Sequence, residues 1–258
     1  NDESIYSYAV ERMVDTGEWL TPRYVATDGT FVEKPPLKFW IVAGAMALGI
    51  VPENQFGMRV FDALFGAVAF GYIMAFGWRL AGVTAGSIAL LLLVSFHPLL
   101  FEHGLRTNNM EGALFLSYAG GLFHFALWAG SQVPPARKLH ALATVLFFVL
   151  GFMTKFVAAV FLPLVAVVAL VASGGAHLLA SRWRDWRLPV AVALVLVLPW
   201  FVYQSIVRPE EFWATIFGAH VYTRMTTFVD PAHVRPWHFY LSEIWIRMPA
   251  WGSQAVVA

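Results

Sequence analysis

Cysteine is absent from this sequence of 258 residues, which excludes disulfide bonds, a thiolate nucleophile and cysteine-ligated metal sites. Charged residues make up only 13% of the chain, whereas a soluble domain has roughly a quarter. The net charge of +1 predicts neither a nucleic-acid-binding surface nor a polybasic arm. No signal-like segment precedes Asp2, and apolar sequence resumes at the C-terminal end, so we expect a fragment of a longer chain.

Apolar residues are abundant, at 59% of the chain, and the mean hydropathy is +0.65. A helix needs about 20 apolar residues to cross a bilayer. Runs that approach this length lie at about 58–78, 82–101, 110–130, 139–153, 156–173 and 188–207. The sequence therefore predicts an all-α polytopic membrane protein with about six transmembrane helices, of which the short run 139–153 needs support from its neighbours.

Basic residues in the short connections predict the orientation. They fall in alternate loops, at Arg79, at Arg137 and Lys138, and at Arg182, Arg184 and Arg187. Such loops are typically cytoplasmic. The opposite, extracytoplasmic face then receives residues 1–57, 102–109, the Thr154-Lys155 junction and 208–248. We expect one membrane domain over residues 1–258, with a loop at 1–57, a bundle at 58–207 and a second loop at 208–248.

The first loop contains a predicted amphipathic helix, because Ile5, Ala9 and Met13 recur at helical spacing and Gly17 offers a stop. We expect this juxtamembrane helix to lie along the membrane. Trp19 and Trp40 suit the headgroup zone, where simple anchoring is the more frequent role of tryptophan.

Two charged pairs in this loop are candidates for chemistry. One carboxylate of Asp2-Glu3 could act as a general base at the membrane surface, although acids also stabilise a helix N-terminus without any catalytic role. In Glu33-Lys34-Pro35-Pro36 the prolines fix the backbone around an acid and a base. Lys34 could bind phosphate, or its side chain could simply reach the interface.

Further ionisable residues border later apolar runs. Glu111 is close enough to an apolar run to need a partner or a water-filled cavity. Glu111 and Arg106 could belong to a substrate site, or the two could form a structural ion pair. Lys155 interrupts an apolar stretch, where it either marks a turn or binds a lipid phosphate.

The second loop adds polar and aromatic candidates, namely His220, Tyr222, Arg224 and His233. Imidazole and carboxylate are suitable zinc ligands, so His220 and His233 could form a site with Glu33. Interfacial histidines that only form hydrogen bonds are the more frequent case.

Several of these motifs, in this order, resemble the aminoarabinose transferases and protein mannosyltransferase-related glycosyltransferases of the membrane-embedded GT-C class. The resemblance begins with Asp2-Glu3, Gly17-Glu18-Trp19-Leu20-Thr21-Pro22, Glu33-Lys34-Pro35-Pro36-Leu37, Phe39-Trp40 and Arg59. It continues with Arg106 to Glu111, Met153-Thr154-Lys155, Pro199-Trp200, His220 with Arg224, and His233 with Pro236-Trp237.

The resemblance implies a transferase of the bacterial plasma (inner) membrane that uses a polyprenyl-phosphate sugar on the extracytoplasmic side. Asp2 would be the catalytic base, and Glu111 stands where the family commonly has a second catalytic Asp. Lys34 and Arg224, with Lys155 less directly, would stabilise the leaving phosphate. Glu3, Arg106 and Tyr222 complete the predicted substrate-binding set. A zinc ion on Glu33, His220 and His233 would follow the aminoarabinose branch.

Two departures leave the acceptor open. Glu111 is one methylene longer than the usual Asp, and Ile5 replaces an Arg that the aminoarabinose branch tends to have. The acceptor could be a lipid A-like lipid, another envelope glycan or a protein hydroxyl.

Two other classes of function compete with this one. Intramembrane charges also mark transporters, so a flippase of a polyprenyl-linked substrate is an alternative. Clustering of the charges at one face favours chemistry over translocation. A non-catalytic envelope-assembly subunit is a further alternative.

Overall fold

The computed structural model describes residues 2–24, 29–102 and 104–223, together with Thr226, Pro236, His238, Phe239, Leu241 and Ser242. Within these residues the α-helices are α1 (Asp2–Thr16), α2 (Leu37–Ala47), α3 (Gln55–Val94), α4 (Glu111–Gly130), α5 (Pro134–Ala172), α6 (Ala176–Ser181), α7 (Arg187–Val207) and α8 (Pro209–Trp213). Shorter elements are a 3₁₀ turn at Trp183–Trp186 and π-helical segments at Pro98–Glu102 and Ala214–Thr223. Two short strands, β1 (Arg23–Tyr24) and β2 (Gly29–Thr30), pair antiparallel.

Four of the described helical segments are long and apolar enough to cross a membrane. They are Gln55–Val94, Glu111–Gly130, Pro134–Ala172 and Trp183–Val207. The protein is therefore a multi-pass helical membrane protein, whereas the predicted count of six spans is not confirmed. The difference arises because two of the four segments each contain two of the predicted runs.

Helix α3 folds back on itself at Ala81 and Gly82, whose backbone angles are not helical. Gly82 has φ 87°, a left-handed conformation that glycine adopts at little cost. On either side of this break, a Cβ on Gly77 would lie 2.7 Å from Cα of Gly86. Residues nine apart in a straight helix would be separated by about 13 Å, so the two halves of α3 run side by side.

Helix α5 folds back in the same way at Lys155 and Phe156, next to the predicted Thr154-Lys155 junction. Both halves pack on α4. A Cβ on Gly120 would meet the ring of Phe147, and one on Gly121 would meet the side chain of Leu162. The glycines of α4 therefore allow close approach of the whole α5 hairpin.

Helix α1 is amphipathic, as predicted, and ends at Gly17, which has φ 72°. Its apolar face is buried through Tyr6, Ala9, Val10 and Met13. These side chains pack in one cluster with residues of α2 and of the first turns of α3 and α4, so this face contacts protein.

The segment that follows α1 is held by backbone carbonyls. Trp40 Nε1 donates to the Trp19 carbonyl at 2.6 Å, and Trp200 Nε1 donates to the Leu20 carbonyl at 2.8 Å. Gln204 donates to the same Leu20 carbonyl at 2.7 Å. Trp19 and Trp40 also pack against buried clusters, so both serve protein packing, and their predicted role as headgroup anchors stays a prediction.

The bundle has two ends that differ in their contacts. One end contains the starts of α3 and α4, the fold-back of α5 and the last turns of α7. The elements α1, β1, β2 and α2 cover this end, which we call the α1 end. At the other end α4 stops and α5 and α7 begin, around the buried side chain of Asp185; we call it the Asp185 end.

Candidate functional site

Glu3 links three parts of the α1 end. Its carboxylate accepts two hydrogen bonds from Arg59 of α3, at 2.6 and 3.0 Å. It also accepts one from the backbone N–H of Asn108, at 2.9 Å. The Arg59 hydrogen bond is the main reason why the pKa of Glu3 lies below its usual value, and burial opposes the shift. These contacts hold the first turn of α1 in place, and the predicted contact of Glu3 with substrate stays a prediction.

Asp2 lies next to Glu3 in the first turn of α1, and its side chain is exposed. Three carboxylates influence the pKa of the Tyr6 hydroxyl, which lies one helical turn after Asp2. Its pKa is raised first by burial and then by the negative charges of Asp2, Glu111 and Glu33. Carboxylates from three separate segments therefore lie within electrostatic range of one hydroxyl.

Glu111 begins α4 and forms an ion pair with Lys155, whose Nζ lies 2.5 Å from Oε1. Both side chains are about one-third exposed, at 31% and 33%. The alternative pair between Glu111 and Arg106 is wrong. Arg106 is exposed, and its guanidinium lies over the ring of Phe101 at 4.8 Å. A helix start and a helix fold-back have brought Glu111 and Lys155 together across 44 positions of sequence.

A small cavity at the α1 end is lined by several of the predicted phosphate and metal ligands. Its volume is about 160 Å³, and its lining includes Glu33, Lys34, Lys155 and His220. Glu33 Oε2 lies 3.8 Å from Lys34 Nζ and 3.6 Å from His220 Nε2. Pro35 and Pro36, which follow Lys34 and precede α2, are both buried. The backbone next to Lys34 is therefore held by packing.

Two of the three predicted zinc ligands lie within the described residues. Glu33 and His220 are adjacent and offer a carboxylate oxygen and an imidazole nitrogen, which suit zinc. His233, the third predicted ligand, lies outside the described residues. Within the described part of the chain no three acidic, histidine or cysteine side chains form a group that could hold a metal. The zinc ion stays a prediction.

Another predicted residue, Tyr222, does not line this cavity. Tyr222 lies on the π-helical segment Ala214–Thr223 and is 70% exposed. Arg224 lies outside the described residues.

The α1 end also contains a buried ion pair that was not predicted from the sequence. Lys38 of α2 and Asp62 of α3 are both fully buried, and Nζ lies 2.7 Å from Oδ2. Burial lowers the pKa of Lys38, while the carboxylates of Asp62, Glu111 and Glu3 oppose that shift. A signal was present, because Asp62 is an acid inside the apolar run 58–78, and such residues need a partner.

The sequence matches the family described as dolichyl-phosphate-mannose-protein mannosyltransferase over residues 33–203, which is more than half of the chain. The chain belongs to this family. The match includes Glu33, Lys34, Glu111 and Lys155, all of which lie at the α1 end.

Relatives with curated descriptions are undecaprenyl phosphate-alpha-4-amino-4-deoxy-L-arabinose arabinosyl transferases. The one from Pseudomonas savastanoi pv. phaseolicola is 26% identical over 242 residues, covering 93% of this chain and 43% of the relative. One from Pseudomonas fluorescens is 29% identical, with coverage of 93% and 42%. One from Shewanella sediminis is 28% identical, with coverage of 97% and 44%. The chain thus spans less than half the length of these relatives.

The fold is shared with crystal structures of ArnT from Cupriavidus metallidurans. The structure bound to undecaprenyl phosphate superposes with a TM-score of 0.78 at 23% identity, over 98% of this chain and 45% of ArnT. The apo structure gives 0.73 at 22% identity, over 97% and 44%. The α1 end and the helical bundle therefore follow the ArnT fold.

Proposed function

We propose that the protein containing this chain is a glycosyltransferase that moves a sugar from a polyprenyl-phosphate donor to an acceptor in the cell envelope. Family membership supports the reaction class. The observation that carries the proposal is the cavity at the α1 end, where Lys34, Lys155 and His220 converge beside the acidic residues Glu33 and Glu111. A lipid phosphate needs such cationic groups, and a sugar transfer needs carboxylates close to them.

The proposed reaction is a displacement at the anomeric carbon of the sugar. Asp2 takes the proton of the acceptor hydroxyl, whose oxygen forms the new bond to that carbon. The bond between the carbon and the phosphate oxygen breaks, and polyprenyl phosphate leaves with both electrons. Lys34 and Lys155 stabilise the charge that develops on this phosphate. Arg224 is proposed to assist them.

Glu111 is proposed as the second catalytic carboxylate. Its ion pair with Lys155 holds Glu111 at the edge of the cavity, next to a proposed phosphate ligand. An oxocarbenium-like transition state gains from negative charge near the sugar ring, which both Asp2 and Glu111 can supply.

Donor and acceptor are proposed from the relatives. Their names specify undecaprenyl phosphate and 4-amino-4-deoxy-L-arabinose, which favours a polyprenyl-linked aminosugar as donor. We favour a lipid acceptor over a glycan or a protein. The flippase alternative is not favoured, because the described relatives are transferases.

The proposed location is the bacterial plasma (inner) membrane, with the α1 end on the extracytoplasmic side. The basic residues of the short connections support this orientation, since Arg137 and Arg182 both lie at the Asp185 end.

The decisive experiment uses the full-length protein in lipid nanodiscs with undecaprenyl-phosphate-linked aminoarabinose and an envelope lipid extract. We expect release of free undecaprenyl phosphate by the wild type and a loss of about 10²–10⁴-fold in Asp2→Asn. Donor binding is expected to persist, because the phosphate ligands are unchanged.

A matched control is Asp15→Asn, which changes an exposed acid in the last turn of the same helix. It should release phosphate at the wild-type rate. Absence of release by the wild type, or equal release by Asp2→Asn, contradicts the proposal; the second result favours a non-catalytic subunit. Movement of the donor across vesicles without phosphate release would instead indicate a flippase.

A further inference from the structure

The α1 end also contains a fully buried polar cluster, built around the pair of Lys38 and Asp62. Both side chains have an exposed fraction of 0%. Asn108 is also fully buried, and its Oδ1 accepts a hydrogen bond from Lys38 Nζ. Gly112 of α4 packs on the pair, since a Cβ there would lie 2.8 Å from Asp62 Oδ1. Three segments of chain therefore meet at this pair, namely α2, the start of α3 and the stretch from Asn108 to Gly112.

Asn108 connects this buried cluster to α1. Its Nδ2 donates to Ser7 Oγ at 3.0 Å, and its backbone N–H donates to Glu3 Oε1 at 2.9 Å. Glu3 is held in turn by Arg59 of α3. The first turn of α1 is thus fixed by contacts that lead back to Lys38 and Asp62.

Stability alone is a weak reason for such a pair. Removing two charges from water costs about as much as their attraction returns, and apolar replacements of similar volume are often neutral or stabilising. Lys38 Nζ contacts Asp62 and also donates to Asn108 Oδ1, so this one ammonium group ties together the segments that carry the three residues.

The two proposed catalytic carboxylates, Asp2 and Glu111, lie close in sequence to residues of this hydrogen-bonded network. Asp2 directly precedes Glu3, and Glu111 follows Asn108 by three residues at the start of α4. Asp2 adjoins Glu3, which accepts a hydrogen bond from Asn108, and Glu111 adjoins Gly112, which packs on Asp62. These contacts therefore link the start of α1, which carries Asp2, to the start of α4, which carries Glu111.

We infer that Lys38, Asp62 and Asn108 are positioning residues that hold Asp2 and Glu111 in register across the sugar phosphate. This inference rests on the proposed transferase function. It predicts that the buried pair acts on the rate of transfer rather than on donor affinity, because the phosphate-binding cavity is lined by other residues.

The test replaces the pair by apolar residues, Lys38→Met with Asp62→Leu, in the full-length protein. We expect a melting temperature near that of the wild type and a fall in kcat of about ten- to a hundredfold, since small displacements of reacting groups have effects of this size. KM for the undecaprenyl-linked donor should stay within about twofold, because its ligands are untouched.

The matched control removes the acid–base pair at the other end of the bundle, Arg137→Met with Asp185→Leu. It should leave kcat per folded molecule unchanged. Wild-type kcat in a folded Lys38→Met/Asp62→Leu variant overturns the inference. If this variant does not fold, Asn108→Ser decides, since it removes only the side-chain link: lowered kcat supports the inference and unchanged kcat overturns it.

Hydrogen exchange separates this inference from the proposed function. In Lys38→Met/Asp62→Leu, amides of residues 2–6 and 108–111 should exchange faster, while those in the middle of α4 should not change. This readout needs no activity. Inactive wild-type protein would contradict the proposed function, and unchanged exchange at both segments would contradict the positioning role.

Discussion

The two ends of the bundle use the same types of side chain in different ways. At the Asp185 end, the buried Asp185 accepts hydrogen bonds from Arg137 at 2.7 and 3.4 Å and from Trp128 Nε1 at 3.2 Å. Arg182 donates to the carbonyls of Trp128, Ala129 and Ser131, at the C-terminus of α4. These charges close helix ends, as cations near a C-terminus typically do.

At the α1 end, polar and charged side chains fall into two groups. Lys38, Asp62 and Asn108 are closed to solvent. Lys34 and Lys155, in contrast, line a cavity, and Asp2 is exposed. Accessibility, and not the number of charges, therefore distinguishes a candidate site from a structural cluster in this protein.

Replacing Asp185 should give the largest effect among the tests of this difference between the two ends. Asp185→Ala leaves Arg137 and Trp128 Nε1 without their acceptor, and loss of one partner from a buried pair costs about 3 kcal/mol. We expect a clear decrease in melting temperature while the rate of transfer per folded molecule stays at the wild-type value. A reduced rate in the folded fraction would show that the Asp185 end also takes part in the chemistry.

Replacing Lys34 should give the opposite result. Lys34→Ala removes a charged hydrogen-bond donor from the cavity, which should weaken binding of undecaprenyl phosphate about ten- to a hundredfold. The melting temperature should change little. Binding can be measured with the purified protein in nanodiscs, and Lys138→Ala, an exposed lysine at the Asp185 end, is the matched control. Equal loss of affinity in both variants would indicate only a general electrostatic attraction.

The smallest expected effect concerns the acid stability of the α1 end. The pKa of Glu3 in the folded protein lies below the ordinary value of 4.5, so its ion pair with Arg59 stabilises the fold above that pH. This contribution is lost as the pH falls from 4.5 through the lowered pKa. Glu3→Gln should therefore be less stable than wild type at pH 6, and the difference should shrink toward pH 3. Melting curves across this range measure it, and a difference that grows on acidification would contradict the assignment.

Local patterns in the sequence predicted a substantial part of the site. Glu33, Lys34, Lys155 and His220 were all candidates, and the structure places them around one cavity. Motif order and helical spacing carried those predictions, because both act over short stretches of chain. The existence of α1, its apolar face and its stop before Gly17 were predictable for the same reason, whereas the packing of that face on other helices was not.

Pairing between distant segments was not predictable. An ion pair of Glu111 with nearby Arg106 was one of two alternatives, but Glu111 contacts Lys155. Glu3 contacts Arg59, 56 positions away. Lys38 was not recognised at all, since a lysine inside a predicted loop gives no sign of burial. Each of these partners depends on which helix ends lie side by side, and sequence spacing does not contain that information.

The sequence by itself determined the class of protein, because apolar runs of membrane length and sparse charge leave few alternatives to a helical bundle. It also indicated the family through the order of its motifs. Only the tertiary structure decided which distant helix ends lie side by side, which charged side chains are accessible and which are buried. The physical reason is that burial and ion pairing depend on distances through space, here between residues such as Lys38 and Asp62 on different helices.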